Sequence, residues 1–167
     1  MELDQRKKQR LRDYDYSQNG AYYITLCTRE KQHLFGTVNN GCVVLNMAGE
    51  MVRHHLEYID TYENVILDKY VIMPNHIHAI INTNDCGTTR RSFPTVSEYI
   101  QRFKTMTTKL YIDGVKAGEY PSFEKAIWQK SFYDRIIRDE NEYLLIWKYI
   151  DENPLKWVTD EYFDDNG

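Results

Sequence analysis

Residues 70–81, Tyr-Val-Ile-Met-Pro-Asn-His-Ile-His-Ala-Ile-Ile, constrain this chain more than any other stretch. In a strand, residues i and i+2 share a face, so His76 and His78 project side by side while Ile77 turns into the core. The flanks are apolar on both sides, so a sheet built on this run buries both faces, and buried neutral imidazoles need partners. Two imidazoles on a stiff central strand can hold one divalent metal if a third ligand arrives from elsewhere. A half-exposed strand that merely carries histidines has the same spacing. Proline is tolerated at a strand start or a bulge, so Pro74-Asn75 divides the run into strands at 64–73 and 76–82.

The remaining elements fall around this pair. After the Asn19-Gly20 turn signal, residues 21–28 (AYYITLCT) read as a strand rich in aromatic and β-branched residues. A second turn at Asn39-Asn40-Gly41 leads into a short strand, Cys42-Val43-Val44-Leu45. Met47, Met51, Val52, His55 and Ile59 recur at helical spacing, and the neighbours His54 and His55 point apart on that helix. Residues 83–94 read as a surface loop. Thr95 and Glu98 form a capping box for a helix whose apolar stripe is Val96, Ile100, Phe103 and Leu110. Residues 114–122 read as a loop and 126–137 as a last strand, kinked in its middle. A final helix runs from Asp139, through Tyr143, Ile146, Trp147 and Ile150, to Pro154. Setting aside the short second strand and the last helix, the order is β-α-β-β-α-β. That predicts an α+β fold: a ferredoxin-like antiparallel sheet with helices packed on it.

Composition narrows the partners. The 167 residues predict a single domain over 1–167, with a basic arm at 1–18 and an acidic tail at 159–167. The net charge of −4 is no global signature of nucleic-acid binding, but it hides a polarity. Arg6, Lys7, Lys8, Arg10 and Arg12 open the chain, and Asp160, Glu161, Asp164 and Asp165 close it as charges expected to be solvated. On the 95–110 helix, Arg102, Lys104 and Lys109 fall largely off the apolar stripe. Arg102, Lys104, Arg135 and Arg138 are the DNA-binding candidates, with Arg90 and Arg91 behind them. The 14 tyrosines against 6 phenylalanines suit stacking and polar contact, although many belong at core edges. Cys27, Cys42 and Cys86 show no metal-type pairing. No signal peptide and no membrane-length apolar run stands out, so the expectation is a reduced, cytoplasmic protein without a membrane partner.

Four ordered segments carry a resemblance. They are residues 20–28 (GAYYITLCT), 73–78 (MPNHIH), 128–138 (WQKSFYDRIIR) and 149–154 (YIDENP). A His-hydrophobic-His strand on such a sheet, followed by a tyrosine-bearing helix, resembles the HUH single-strand DNA nucleases. Within them the chain is most similar to the single-tyrosine, REP-associated tyrosine transposases. The resemblance implies that His76 and His78 are metal ligands and that Tyr149 is the nucleophile. It also implies that Asn153, four residues on and on the same helix face, completes the metal site. Mg²⁺ or Mn²⁺ is the implied metal, and hairpin-forming single-stranded DNA the implied partner of a monomer or homodimer.

The implied chemistry suits these residue types. A tyrosine phenol, with pKa near 10, attacks poorly unless the phosphate is polarised, as a divalent ion can do. Attack by Tyr149 would leave a 5′-phosphotyrosine and a free 3′-OH, conserving the bond energy for rejoining. Taken by pattern alone, Tyr149 between Trp147 and Ile150 reads first as a helix aromatic packed on the sheet, a reading the resemblance reverses, and Tyr133 is the rival nucleophile. A domesticated relative that binds hairpins without cutting keeps the same residues. A two-histidine phosphoesterase requires two separated His-x-Ser/Thr motifs, and the chain has neither.

Overall fold

The computed structural model describes residues 20–61, 65–83 and 95–163. The basic arm, Arg90, Arg91 and Cys86 lie outside the described residues, as do Asp164 and Asp165. β1 (Gly20–Cys27) is central: β5 (His76–Thr83) pairs with it on one side and β6 (Tyr133–Ile137) on the other, both antiparallel. β4 (Val65–Ile72) adds antiparallel to the outside of β5, giving the order β4-β5-β1-β6. This is the predicted ferredoxin-like sheet.

Period-2 alternation separates the two faces of β1. Tyr22, Ile24 and Leu26 are buried toward one face, beside their register partners Ile81, Ala79 and Ile77. They pack in one core with Val52 and Leu56 of α1 (Met47–Glu57) and with Tyr99, Ile100 and Phe103 of α2 (Val96–Lys116). The opposite face presents Tyr23, Thr25 and Cys27, with Thr25 opposite His78 and Cys27 opposite His76. α3 (Glu140–Glu152) lies over that second face.

Local chemistry accounts for the helix starts. Asn46 caps α1 by accepting from the Gly49 N–H at 2.8 Å. The predicted Thr95–Glu98 capping box is complete in both directions. Asp139 caps α3 through the Glu142 N–H at 2.9 Å, but the Glu142 carboxylate turns to the Arg138 N–H and the Arg135 side chain instead of closing a box.

Three expectations change. The short strand, now β3 (Cys42–Leu45), pairs with β2 (Gly36–Asn39) in a separate hairpin, turned by Asn40 and Gly41 at φ of 50° and 73°. That is the two-residue Asn-Gly turn whose twist matches paired strands. α2 continues through Gly114 to Lys116, because the glycine leaves room for the Tyr120 ring; a Cβ there would sit 2.3 Å from Tyr120 Cδ2. The last strand shrinks to Tyr133–Ile137, with only a Thr28–Trp128 bridge upstream of it. Among the described residues no helix is long and apolar enough to cross a membrane.

Candidate active site

His76 and His78 are both fully buried. Their Nδ1 atoms are occupied. His76 Nδ1 lies 2.8 Å from Asn75 Oδ1, and His78 Nδ1 lies 2.8 Å from the Tyr23 hydroxyl and 2.9 Å from Thr25 Oγ1. The Asn75 amide donates Nδ2 to the carbonyls of Lys31 and Tyr162, so its Oδ1 can only accept from His76. His76 therefore carries its proton on Nδ1 and a lone pair on Nε2. The Nε2 atoms of both histidines are buried without a hydrogen-bond partner. Burial pushes the His76 imidazole down to about 4, with the Asp160 carboxylate and the Asn153 side chain pulling it partway back. Burial, followed by the neighbouring His76, holds His78 well below the usual histidine range. Two imidazoles held neutral by burial meet here, each with an Nε2 that has no hydrogen-bond partner.

α3 brings Tyr149 to the same place. Ile150 is fully buried beneath the helix, and Lys69 of β4 pins its outer side by pairing with Asp151 at 2.5 Å and lying 3.8 Å over the Trp147 ring. Tyr149 is 36% exposed, and its ring centroid lies 5.2 Å from that of His78. Its hydroxyl donates to Asp160 Oδ2 at 3.3 Å. Burial, then the Asp160 and Glu161 charges, raise the Tyr149 phenol above its ordinary value, so it rests protonated. Asn153 is buried at the end of α3, and its Nδ2 donates to Asp160 Oδ2 at 2.7 Å. Its Oδ1 has no hydrogen-bond partner. Tyr133, the rival nucleophile, lines a cleft of about 580 Å³ together with Tyr23, Tyr149, Tyr162 and Arg135.

The residue that sequence reasoning misses is Asp160. The charge pattern predicts a solvated acidic tail from residue 159; the structure instead brings Asp160 and Tyr162 over the histidines. A 3-10 segment, Asn153–Thr159, buries Trp157 against His76 and His33, with ring centroids 5.9 and 5.5 Å apart. Tyr162 follows, its centroid 4.7 Å from His76 and 5.5 Å from His78. Asn75 Nδ2 binds the Tyr162 carbonyl at 2.9 Å and Lys31 Nζ the Glu161 carbonyl at 3.0 Å, so the segment is tied down at both residues. The physical reason is the aromatic content of Trp157, Tyr162 and Phe163, whose rings gain by packing while Glu161 stays exposed and the Asp160 carboxylate keeps hydrogen-bond partners. Their interleaving with acids is the available signal. His76, His78 and Asp160 each offer a ligand atom, all within 4.8 Å of one another.

The DNA-binding candidates divide. Arg135 is paired across β1 with Tyr23, hence on the histidine face, where it forms an ion pair with Glu142. Arg138 follows β6 and is exposed. Arg102 is exposed on α2, in the layer behind the sheet. Lys104 is half-buried there, with Nζ donating to the carbonyls of Gln129 at 2.5 Å and Lys130 at 3.3 Å. Its ammonium thus clamps the segment leading to β6.

Known proteins share this architecture. A protein described as a REP-associated tyrosine transposase bound to a REP hairpin superimposes with a TM-score of 0.60 at 21% identity, covering 88% of this chain and 73% of the other. A candidate transposase from Deinococcus radiodurans R1 gives 0.52 at 13% identity, over 85% and 95% of the two chains. In sequence, an uncharacterised protein of Haemophilus influenzae Rd is 33% identical over 172 residues, covering 98% of this chain and 96% of that protein. Residues 18–153 match the family described as IS200-like transposases, and a match over so much of its length shows that the chain belongs to that family.

Proposed function

We propose that this protein binds hairpin-forming single-stranded DNA and cuts and rejoins it through a 5′-phosphotyrosine on Tyr149, using Mg²⁺ or Mn²⁺ held at His76 and His78. One observation carries the reading. The partly exposed Tyr149 shares a sheet face with two buried imidazole Nε2 atoms that have no hydrogen-bond partner. Such nitrogens suit a divalent cation, and their Nδ1 contacts hold both rings in the orientation a ligand needs. The substrate class rests on the structural relative whose description includes a REP hairpin.

Held by His76 and His78, a divalent ion would polarise the phosphodiester and offset charge on the departing 3′-oxygen. The chain does the rest. Tyr149 Oη forms the new bond to phosphorus as the bond to the 3′-oxygen breaks; the phenol gives up a proton and the 3′-oxygen takes one up. Asp160 accepts the Tyr149 hydrogen bond and so directs the hydroxyl. The aromatic cleft beside Tyr149 gives unpaired bases surfaces on which to stack.

Incubating end-labelled single-stranded hairpins with the protein and Mn²⁺ should yield a protein–DNA band that survives denaturing electrophoresis. Hairpin binding with no such band would mean a binding protein that does not cut. Affinity should also depend on salt. Replacing Arg135 and Arg138 by alanine should flatten the log–log salt dependence by roughly 0.7 for each phosphate no longer neutralised. Lys104→Ala should lower stability while leaving that slope unchanged, since its ammonium already serves two carbonyls. The reverse pattern would move the DNA path to the α2 side.

A further inference from the structure

We propose that Asp160 is a metal ligand, supplying the anionic donor beside His76 and His78, and that Asn153 acts as a positioning residue for its carboxylate. The inference rests on the metal reading above and deepens it. The family resemblance offers Asn153 for the third place, on the helix face it shares with Tyr149. The structure adds a second residue, from beyond the helix, with stronger claims.

Proximity is the first. The ligand atoms of His76, His78 and Asp160 converge within 4.8 Å, and among the described residues no other grouping of histidine, cysteine and acidic side chains does so. Donor chemistry is the second. Two neutral imidazoles and one carboxylate form a set that binds divalent ions while leaving positions open for substrate oxygens. A carboxylate also brings the negative charge that a neutral amide lacks. Preorganisation is the third. Asp160 Oδ2 accepts from Asn153 Nδ2 at 2.7 Å, and Oδ1 accepts from the Tyr162 N–H at 2.8 Å, so the carboxylate is fixed from two directions. The Asn153 amide must turn its NH₂ toward Asp160, because a carboxylate only accepts; Asn153 thereby aims the acid into the site.

This arrangement ties the nucleophile to the metal site. The oxygen that Asn153 holds also accepts from Tyr149 Oη at 3.3 Å. Asp160 thus joins the metal-binding atoms to the attacking hydroxyl, and the segment carrying it is part of the active site.

The test is Mn²⁺ affinity of the full chain without DNA, measured by titration calorimetry and by the electron paramagnetic resonance signal of free Mn²⁺. Circular dichroism and melting in EDTA report on the fold. Asp160→Ala should weaken binding by more than about 100-fold and Asn153→Ala by about 10–100-fold, the range for residues that orient a ligand. Asp160→Asn, which keeps the shape and removes the charge, should resemble Asp160→Ala and replaces it if the alanine variant does not fold. If the wild type binds no Mn²⁺, the metal reading falls and this inference with it. If the wild type binds and folded Asp160 variants bind equally well, the inference alone is overturned. Asp160 variants that keep Mn²⁺ affinity and cut hairpins faster would overturn it too, marking the carboxylate as a plug over the site.

Discussion

Tyr149→Phe should bind hairpin DNA as tightly as the wild type and form no covalent protein–DNA product. The substitution keeps the ring that packs 5.2 Å from His78 and 6.4 Å from Tyr23. It removes one hydroxyl, whose 3.3 Å hydrogen bond to Asp160 lies at a partly exposed position. The cost in stability is therefore no more than about 1 kcal/mol. The chemical cost is total, because no other atom of that side chain can attack phosphorus. The cleft contains three further tyrosines, Tyr23, Tyr133 and Tyr162, so the assignment is exacting. Tyr23 is engaged by His78 Nδ1, and the Tyr162 ring packs on both histidines. Peptide mapping of the trapped adduct decides among them. A phosphotyrosyl nucleotide on Tyr133, or on either of the others, would refute the role given to Tyr149.

Removing either imidazole should abolish both metal binding and cleavage. His76→Ala and His78→Ala each delete a buried Nε2, leaving a single imidazole beside Asp160 and one protein ligand too few for the ion. The readout that separates metal loss from misfolding is thermal. A ligand that binds only the folded state at about 100 times its Kd adds roughly 2.7 kcal/mol of stability. For a chain of this length each kcal/mol is worth about 2–4 °C, so saturating Mn²⁺ should raise the wild-type Tm by about 5–10 °C. Neither variant should shift. In EDTA the alanine variants should melt below the wild type, since both rings are fully buried and packed between Trp157, Tyr162 and Tyr149. His78→Gln leaves less of a cavity and serves as the milder control. Full cleavage by a folded variant of either histidine would place the site elsewhere.

The two results probe separate parts of the site. Tyr149 is carried by α3, which is held to the sheet by Ile150 and by the Lys69–Asp151 pair. The histidines belong to the interior strand β5, and their Nδ1 partners come from Asn75, Tyr23 and Thr25. Loss of the Tyr149 hydroxyl should leave the Mn²⁺-induced rise in Tm in place, whereas loss of a histidine should remove it.

Much of this is legible in residue order alone. The shared face of His76 and His78 follows from the two-residue period of a strand, and the flanking apolar residues require that strand to be interior to its sheet. The β-α-β-β-α-β order, the Thr95–Glu98 cap and the place of Tyr149 one turn before Asn153 are also local properties, set by periodicity and spacing. Tertiary structure decides what depends on distant partners. The hydrogen bond that ties Tyr162 over the site joins residues 87 positions apart, and no local pattern encodes such a contact. For that reason Asp160 reads as part of a solvated tail in the sequence, although its aromatic neighbours pack on the histidines. Lys104 likewise reads as a free surface charge, yet it clamps carbonyls 25 and 26 positions away. The strand dictates where two imidazoles point; only folding determines which acid comes to meet them.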